Sequence, residues 1–288
     1  MNATGPTLNG LSFDVEEYFH ALNLRPVAPA ETWDSQERRV AATTRSILET
    51  LAQRDVKATF YFLGWVAHRD PALVKEVHAA GHEIGSHGMS HQMANELGPE
   101  AFRQEARESK AILEDATGAP VHGFRASTFS ITEATQWALQ ILLEEGYTYD
   151  SSVFPVRHDR YGWPSFSRVP IEVETDSGPI LEIPMLTLRR FGTNLPAAGG
   201  GYLRLLPLWL INAAIREMNA DGHAGVVYLH PWEFDPEQPR LLKGGLGALR
   251  HYHGLAGTMG KLEKLMDRHA FGPVLAAVKA ASAGIAPA

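Results

Sequence analysis

The sequence predicts a single α/β domain built on a parallel sheet with helical crossovers, closed into a barrel or left open. Three observations carry this expectation. β-rich runs and amphipathic helical stretches alternate along residues 8–229, the rhythm of a parallel sheet. The 288 residues fit one barrel-sized domain with embellishments. Finally, Asp14, His87, Arg125, Asp150 and His230 each fall at or just past the carboxyl end of a predicted strand, the edge where such folds collect ligands and chemistry.

Residues 8–15 read as a buried strand ending in the acidic run Asp14-Val15-Glu16-Glu17, where the two-residue period puts Asp14 and Glu16 on one face. Val40, Thr44, Ile47, Leu48 and Leu51 recur at helical spacing within 37–54, and the run ATFYFL (58–63) follows as a second strand. Pro71 opens a helix that Gly81 closes, so 83–86 becomes the third strand and delivers His87. Phe102, Ala106, Ser109 and Leu113 stripe a helix over 99–116, ahead of a strand at 121–124 that ends at Arg125. A helix over 132–145, capped by Gly146, precedes a strand at 147–149 that ends at Asp150.

The rhythm breaks between Phe154 and Gly201. There 171–174 and 180–183 flank a turn as an antiparallel hairpin, expected as an insertion on the rim over about 154–206. Gly199, Gly200 and Gly201 form either a plain loop or a close backbone approach to a ligand. A helix over 207–218 leads to the last clear strand, 226–229, which ends at His230-Pro231-Trp232-Glu233. Residues 8–233 thus form the expected barrel core of one domain covering 1–288. The remainder, 234–288, is a C-terminal helical extension broken at Gly272-Pro273.

Composition narrows the chemistry. A net charge of −7 offers no basic surface for nucleic acid, and the absence of cysteine excludes disulfides, thiolate metal sites and a cysteine nucleophile. Any metal must be held by histidines and carboxylates. The N-terminal residues have neither a basic nor an apolar signal region, and the apolar run 205–215 is too short to span a bilayer, so a cytoplasmic protein without a transmembrane segment is expected. His87 and His91, in GHEIGSHGMSH, stand four residues apart; one helical turn would aim both imidazoles at one point, although such a pair also occurs on surfaces and in cores.

These residues resemble a known family. Ser12-Phe13-Asp14, then Ser86-His87 to His91, Phe124-Arg125, Tyr149-Asp150-Ser151-Ser152 and Leu229-His230-Pro231 resemble, in order, the motifs of carbohydrate esterase family 4, the NodB-like polysaccharide deacetylases. The runs SFDVEEYFH, FRASTFSIT, YDSSVFPVRHDRYG, GGGYLRLLP, YLHPWEFDPEQPR and RHYHGL resemble more closely the branch found beside exosortase-linked (PEP-CTERM) exopolysaccharide loci. The resemblance implies a distorted (β/α)7–8 barrel and metal-dependent removal of N- or O-acetyl groups from an acetylated poly- or oligosaccharide. That substrate would be lipid-linked if the enzyme works at the inner-membrane surface. Oligomeric state stays open.

Residue by residue, the resemblance makes His87 and His91 metal ligands, with zinc first and cobalt, nickel or iron as alternatives. Where the family has a second aspartate this chain has Val15, so Glu16 takes the third-ligand role, with Glu17, on the opposite face and expected in solvent, or water as its replacement. Asp14 matches the general base, Arg125 its partner, and His230 the acid that protonates the leaving amine, with Leu229 lining the acetyl pocket. Ser127 stands where the family has proline. Asp150 either orients His230 or turns the chain. Trp232 and Tyr202 either stack on a sugar ring or pack in the core. His251 and His253 read as surface or packing residues. Three other functions remain from these residues: hydrolysis of a small non-sugar amide on the same fold, a catalytically inactive glycan-binding member, and an iron oxygenase using the His-His-carboxylate set.

Overall fold

The computed structural model describes residues 6–158 and 160–284. The first five residues, on which the signal-region reading partly falls, Asp159 of the motif YDSSVFPVRHDRYG and the last four residues of the C-terminal extension lie outside this range.

In chain order the elements are β1 (Asn9–Val15), α1 (Val40–Ala52), β2 (Thr59–Phe62), α2 (Gly64–Arg69), α3 (Pro71–Ala79), β3 (Glu83–Ser86), α4 (Ala94–Thr117), β4 (Gly123–Phe124), α5 (Trp137–Glu144) and β5 (Tyr149–Asp150). There follow β6 (Ile171–Thr175), β7 (Gly178–Glu182), β8 (Thr187–Arg190), β9 (Thr193–Pro196), α6 (Gly201–Leu205), α7 (Leu208–Ala220), β10 (Val226–Leu229), α8 (Gly245–Tyr252), α9 (Thr258–Met266), β11 (Phe271–Gly272) and α10 (Val274–Gly284). The main sheet runs β10-β1-β2-β3-β4-β5-β7-β6, parallel from β10 to β7, with β6 added antiparallel and β11 pairing with the start of β1.

The central strand is buried on both faces, as its apolar sequence requires: Leu11, Phe13 and Val15 are fully enclosed, and Phe13 stacks on Phe60 of β2 at 4.9 Å between ring centroids. Each buried Phe contributes about 1.5–3 kcal/mol. Gly85 and Gly123 leave room for the rings of Tyr61 and Tyr149, which a Cβ at either position would meet at 2.4 and 2.2 Å.

The predicted alternation is present, and its strand ends lie where the sequence places them. The hairpin differs from expectation. It is no rim ornament, because β7 pairs with β5 and extends the main sheet. The chain then ties the two sides of the sheet together: Met185 N donates to Val153 O at 3.0 Å, Leu186 N to Val226 O at 3.1 Å, and Gly200 N to Tyr228 O at 2.9 Å. Irregular backbone after β7 thus runs alongside β10, at the other edge of the sheet. Gly199 is required here, since at φ +133° its absent Cβ would fall 1.9 Å from Tyr228 O; the glycine run serves this approach to β10 rather than a ligand. The C-terminal extension is likewise integral, supplying β11 to the sheet and α10 against β1. Among the described residues no helix is long and apolar enough to cross a membrane.

Candidate active site

At the carboxyl edge of the parallel strands, Asp14 on β1, Glu16 just past it, His87 past β3, Arg125 past β4 and His230 past β10 converge. The cavity they line holds about 170 Å³, room for roughly five waters at ~30 Å³ each, the scale of an acetamido group.

Glu16, His87 and His91 bring one ligand atom each to within 4.8 Å of one another, and all three are buried. The two histidines do not share a helical turn. His91 reaches the site from a loop in the left-handed region at φ +56°, held by α4, whose Glu105 accepts from Met89 N, Ser90 N and the Ser90 hydroxyl. His87 Nδ1 donates to Arg125 O at 2.8 Å, which leaves Nε2 with a free lone pair, and burial pushes its imidazole down to about 4, so it is neutral as a ligand must be. Glu16 Oε1 accepts from the Trp232 indole at 3.0 Å. Its Oε2 lies 2.6 Å from His91 Nε2, yet has no well-formed hydrogen bond despite being buried. Burial alone would raise this carboxyl, but the close approach and charge of His91, with the charges of His230 and His87, hold it below the ordinary range. An ionised, orphaned oxygen facing two imidazoles fits a divalent cation.

Glu17, the alternative ligand, points away. It is buried rather than solvated, and accepts from Arg39 N and Val40 N where α1 begins.

Arg125 is fully buried and spends its donors on Asp14 Oδ1 at 2.7 Å, Ser12 Oγ at 2.7 Å, Ser151 O at 2.9 Å and Ser151 Oγ at 3.1 Å. The other Asp14 oxygen faces His230 Nε2 at 3.9 Å. Behind His230, its Nδ1 donates to Glu233 Oε1 at 2.6 Å, and Glu233 Oε2 accepts from Arg204 Nε at 2.7 Å. Burial would lower the His230 imidazole; the bond to Glu233 and the charges of Glu16, Glu233 and Asp14 outweigh it and lift it to about 9. Glu233 is itself held low: burial would raise it, but Arg204 and His230 more than compensate.

Several expected roles are corrected. Asp150 does not orient His230; it accepts from Ser152 N and Ser152 Oγ, and Ser152 in turn accepts from Ala126 N, so Asp150 braces the strand end beside Arg125. Burial raises its carboxyl and that of Glu182, which also opposes Asp150. Leu229 faces away from the cavity, because alternation along β10 puts Tyr228 and His230 on the inner face, and Tyr228 takes the lining role. Trp232 stacks on His230 at 5.0 Å and on His251 at 4.6 Å, so imidazoles rather than a sugar occupy its ring, while its N–H holds Glu16. Tyr202 stands back from the cavity, its hydroxyl 2.9 Å from that of Tyr161, which does line it. His251 is buried, not superficial, and is bonded to Gln238; His253 is exposed.

Residues 29–149 match the family model described as polysaccharide deacetylase, and 151–279 match a domain of unknown function, DUF3473. The first segment is thus similar to a polysaccharide deacetylase domain. Curated relatives are similar over part of the chain. A peptidoglycan-N-acetylglucosamine deacetylase of Bacillus cereus is 33% identical over 94 residues, covering 29% of this chain and 44% of the relative. A chitooligosaccharide deacetylase of Rhizobium leguminosarum bv. trifolii is 36% identical over 73 residues, covering 25% and 34%. The chain spans less than half the length of these curated relatives. A solved Mycobacterium smegmatis protein assigned as a polysaccharide deacetylase superposes at TM-score 0.66 with 19% identity over 100% of this chain and 94% of that one. Peptidoglycan deacetylase PdaC of Bacillus subtilis does so at 0.52 with 14% identity over 97% and 93%. Both likenesses establish the fold. The deacetylase site draws on both matched segments, His87, His91 and Arg125 from the first, Arg204, His230 and Glu233 from the second.

Proposed function

We propose that the protein is a metal-dependent hydrolase that removes acetyl groups, N-acetyl foremost, from a poly- or oligosaccharide in exopolysaccharide biosynthesis. One observation carries this reading: a proton acceptor, Asp14, and a proton donor, His230, face each other in a cavity that the Glu16-His87-His91 set also lines. A divalent ion held by these three residues, zinc first on the His/carboxylate donor set, would supply Lewis acidity that polarises the acetyl carbonyl and acidifies water.

The chain's own groups do the rest. Asp14, oriented by Arg125, accepts the proton of the attacking water through the oxygen facing the cavity. His230, protonated at neutral pH, donates its Nε2 proton to the departing nitrogen, and Glu233 retains the imidazole in position. Tyr228 and Phe129 narrow the cavity beside the base. The inactive-member reading gains nothing from this geometry, since base, acid and the three cation-binding residues all converge. Exopolysaccharide biosynthesis rests on the motif resemblance alone. The test is direct: purified protein should contain about one divalent ion and release acetate from N-acetylated chito-oligosaccharides, and both should vanish in His87→Ala. Acetate release that survives complete metal removal would overturn the proposal, and turnover restricted to small cyclic amides would move it to the non-sugar alternative.

A further inference from the structure

Beside the catalytic cavity lies a second one of about 380 Å³. The two are continuous, since Leu22, Thr128, Tyr161 and Trp232 wall both. Its character is opposite to that of the catalytic cavity. Arg160 and Arg250 are exposed and line it, and neither guanidinium has an ion-pair partner among the described residues. No acidic residue stands among the described residues that line it. The third arginine there, Arg204, is already committed to Glu233 and to the carbonyls of His251 and His253.

The walls are ordered on both sides. His158 Nδ1 accepts from Arg160 N at 3.2 Å, and Trp232 and His251 form a stacked floor. On a chain of net charge −7, two guanidiniums with no ion-pair partner and no acid beside them among the described lining residues are a local reversal of sign next to the reacting group. Their planar donor forks suit a carboxylate or a phosphate, not a neutral hydroxyl surface.

We propose that the substrate unit adjoining the acetylated sugar carries an anionic group, a uronate carboxylate or a phosphate, which Arg160 and Arg250 bind in this groove. This rests on the deacetylase reading for the position of the acetyl group and adds the charge of its neighbour. The sugar residue enters the small cavity, and its charged neighbour lies along the shared wall of Tyr161 and Trp232.

Calorimetric binding to the metal-loaded protein tests the groove without requiring turnover, using a tetraglucuronate for the carboxylate, UDP-glucose for the phosphate and cellotetraose as the neutral reference. At least one charged probe should bind about tenfold or more tightly than cellotetraose. That preference should fall about tenfold in the Arg160→Gln/Arg250→Gln double variant and shrink as salt is raised. Whichever charged probe binds more tightly identifies the anion. Both positions are exposed, so the double variant should keep its thermal transition, which is checked alongside. Equal binding of neutral and charged probes, or a charge preference that persists in the double variant, overturns the inference. Acetate release provides the separation: a charge preference without acetate release from any acetylated glycan sinks the deacetylase reading and leaves the groove, whereas acetate release without charge preference sinks only the groove.

Discussion

The two sides of the cleft use the same device with opposite results. On one side a buried guanidinium, Arg125, touches the carboxylate of Asp14 directly at 2.7 Å and orients it as the proposed proton acceptor. On the other, Arg204 touches Glu233 at 2.7 Å and Glu233 touches His230 at 2.6 Å. The extra link inverts the outcome, because an ionised Glu233 stabilises an imidazolium, which donates. The first side comes from the carboxyl ends of β1 and β4. The second is assembled from α6 and the turn after β10, within the segment that matches a domain of unknown function. The proposed acid and base thus differ by one charge-paired link between each group and a buried arginine.

Breaking the base side should have the largest effect. Asp14→Asn keeps the shape but cannot accept a proton, so acetate release should fall about 10²–10⁴-fold. Bound metal, measured by atomic absorption, should remain. A loss smaller than tenfold would move the base elsewhere. Arg125→Met attacks the same side through stability. It strands the Asp14 charge in a buried site, and equilibrium denaturation should register a loss of about 3–5 kcal/mol. An unchanged midpoint would mean that water reaches Asp14 and the pair is not sealed.

The acid side should yield through its pH profile. With the imidazole lifted to about 9, the basic limb of the rate should lie well above the ordinary histidine value of ~6.5. A cation held by Glu16 would take up that residue's charge, which would leave the bond to Glu233 as the main contribution. Glu233→Gln should move the limb to lower pH, and if it falls to near 7 the rate at pH 8 drops about tenfold while the rate at pH 6 changes little. A folded-state value raised in this way stabilises the protein fully below about 6.5, and that contribution is lost as pH rises through about 9. A limb that stays in place in Glu233→Gln would show that Glu233 only packs.

The base side was legible in the sequence and the acid side only half so, for a physical reason. Asp14, Glu16, His87 and Arg125 sit at the ends of parallel strands, where the period of two fixes direction as well as place. The same rule, applied to position without direction, misplaced Leu229, which the alternation turns outward, and Asp150, whose two-residue strand hands its carboxylate to Ser152. Glu233 had a local signal, His-x-x-Glu over one turn after a strand. Arg204 had none: its partner is 29 residues away and its carbonyl contacts are 47 and 49 residues away, distances over which no periodicity operates. The hairpin 171–182 was recognised by its turn, but its place in the main sheet depends on β5, a partner that no turn chemistry specifies.

Trp232 belongs to both sides, and replacing it sharpens the comparison with the smallest expected change. Its indole N–H is the one hydrogen-bond donor to Glu16 Oε1, while its ring packs between the acid's imidazole and His251. Trp232→Phe keeps an aromatic ring and removes the donor. Loss of such an outer bond to a ligating carboxylate weakens metal affinity by about 10–100-fold. At saturating metal the rate should stay within a few-fold of the parent, and the basic limb should not move, because the Glu233–His230 bond is untouched. Competition with a chelator reads the first effect and the pH profile the second. If the limb shifts with the affinity unchanged, Trp232 acts on the acid rather than on the cation site, and the two sides are coupled through its ring instead of through Glu16.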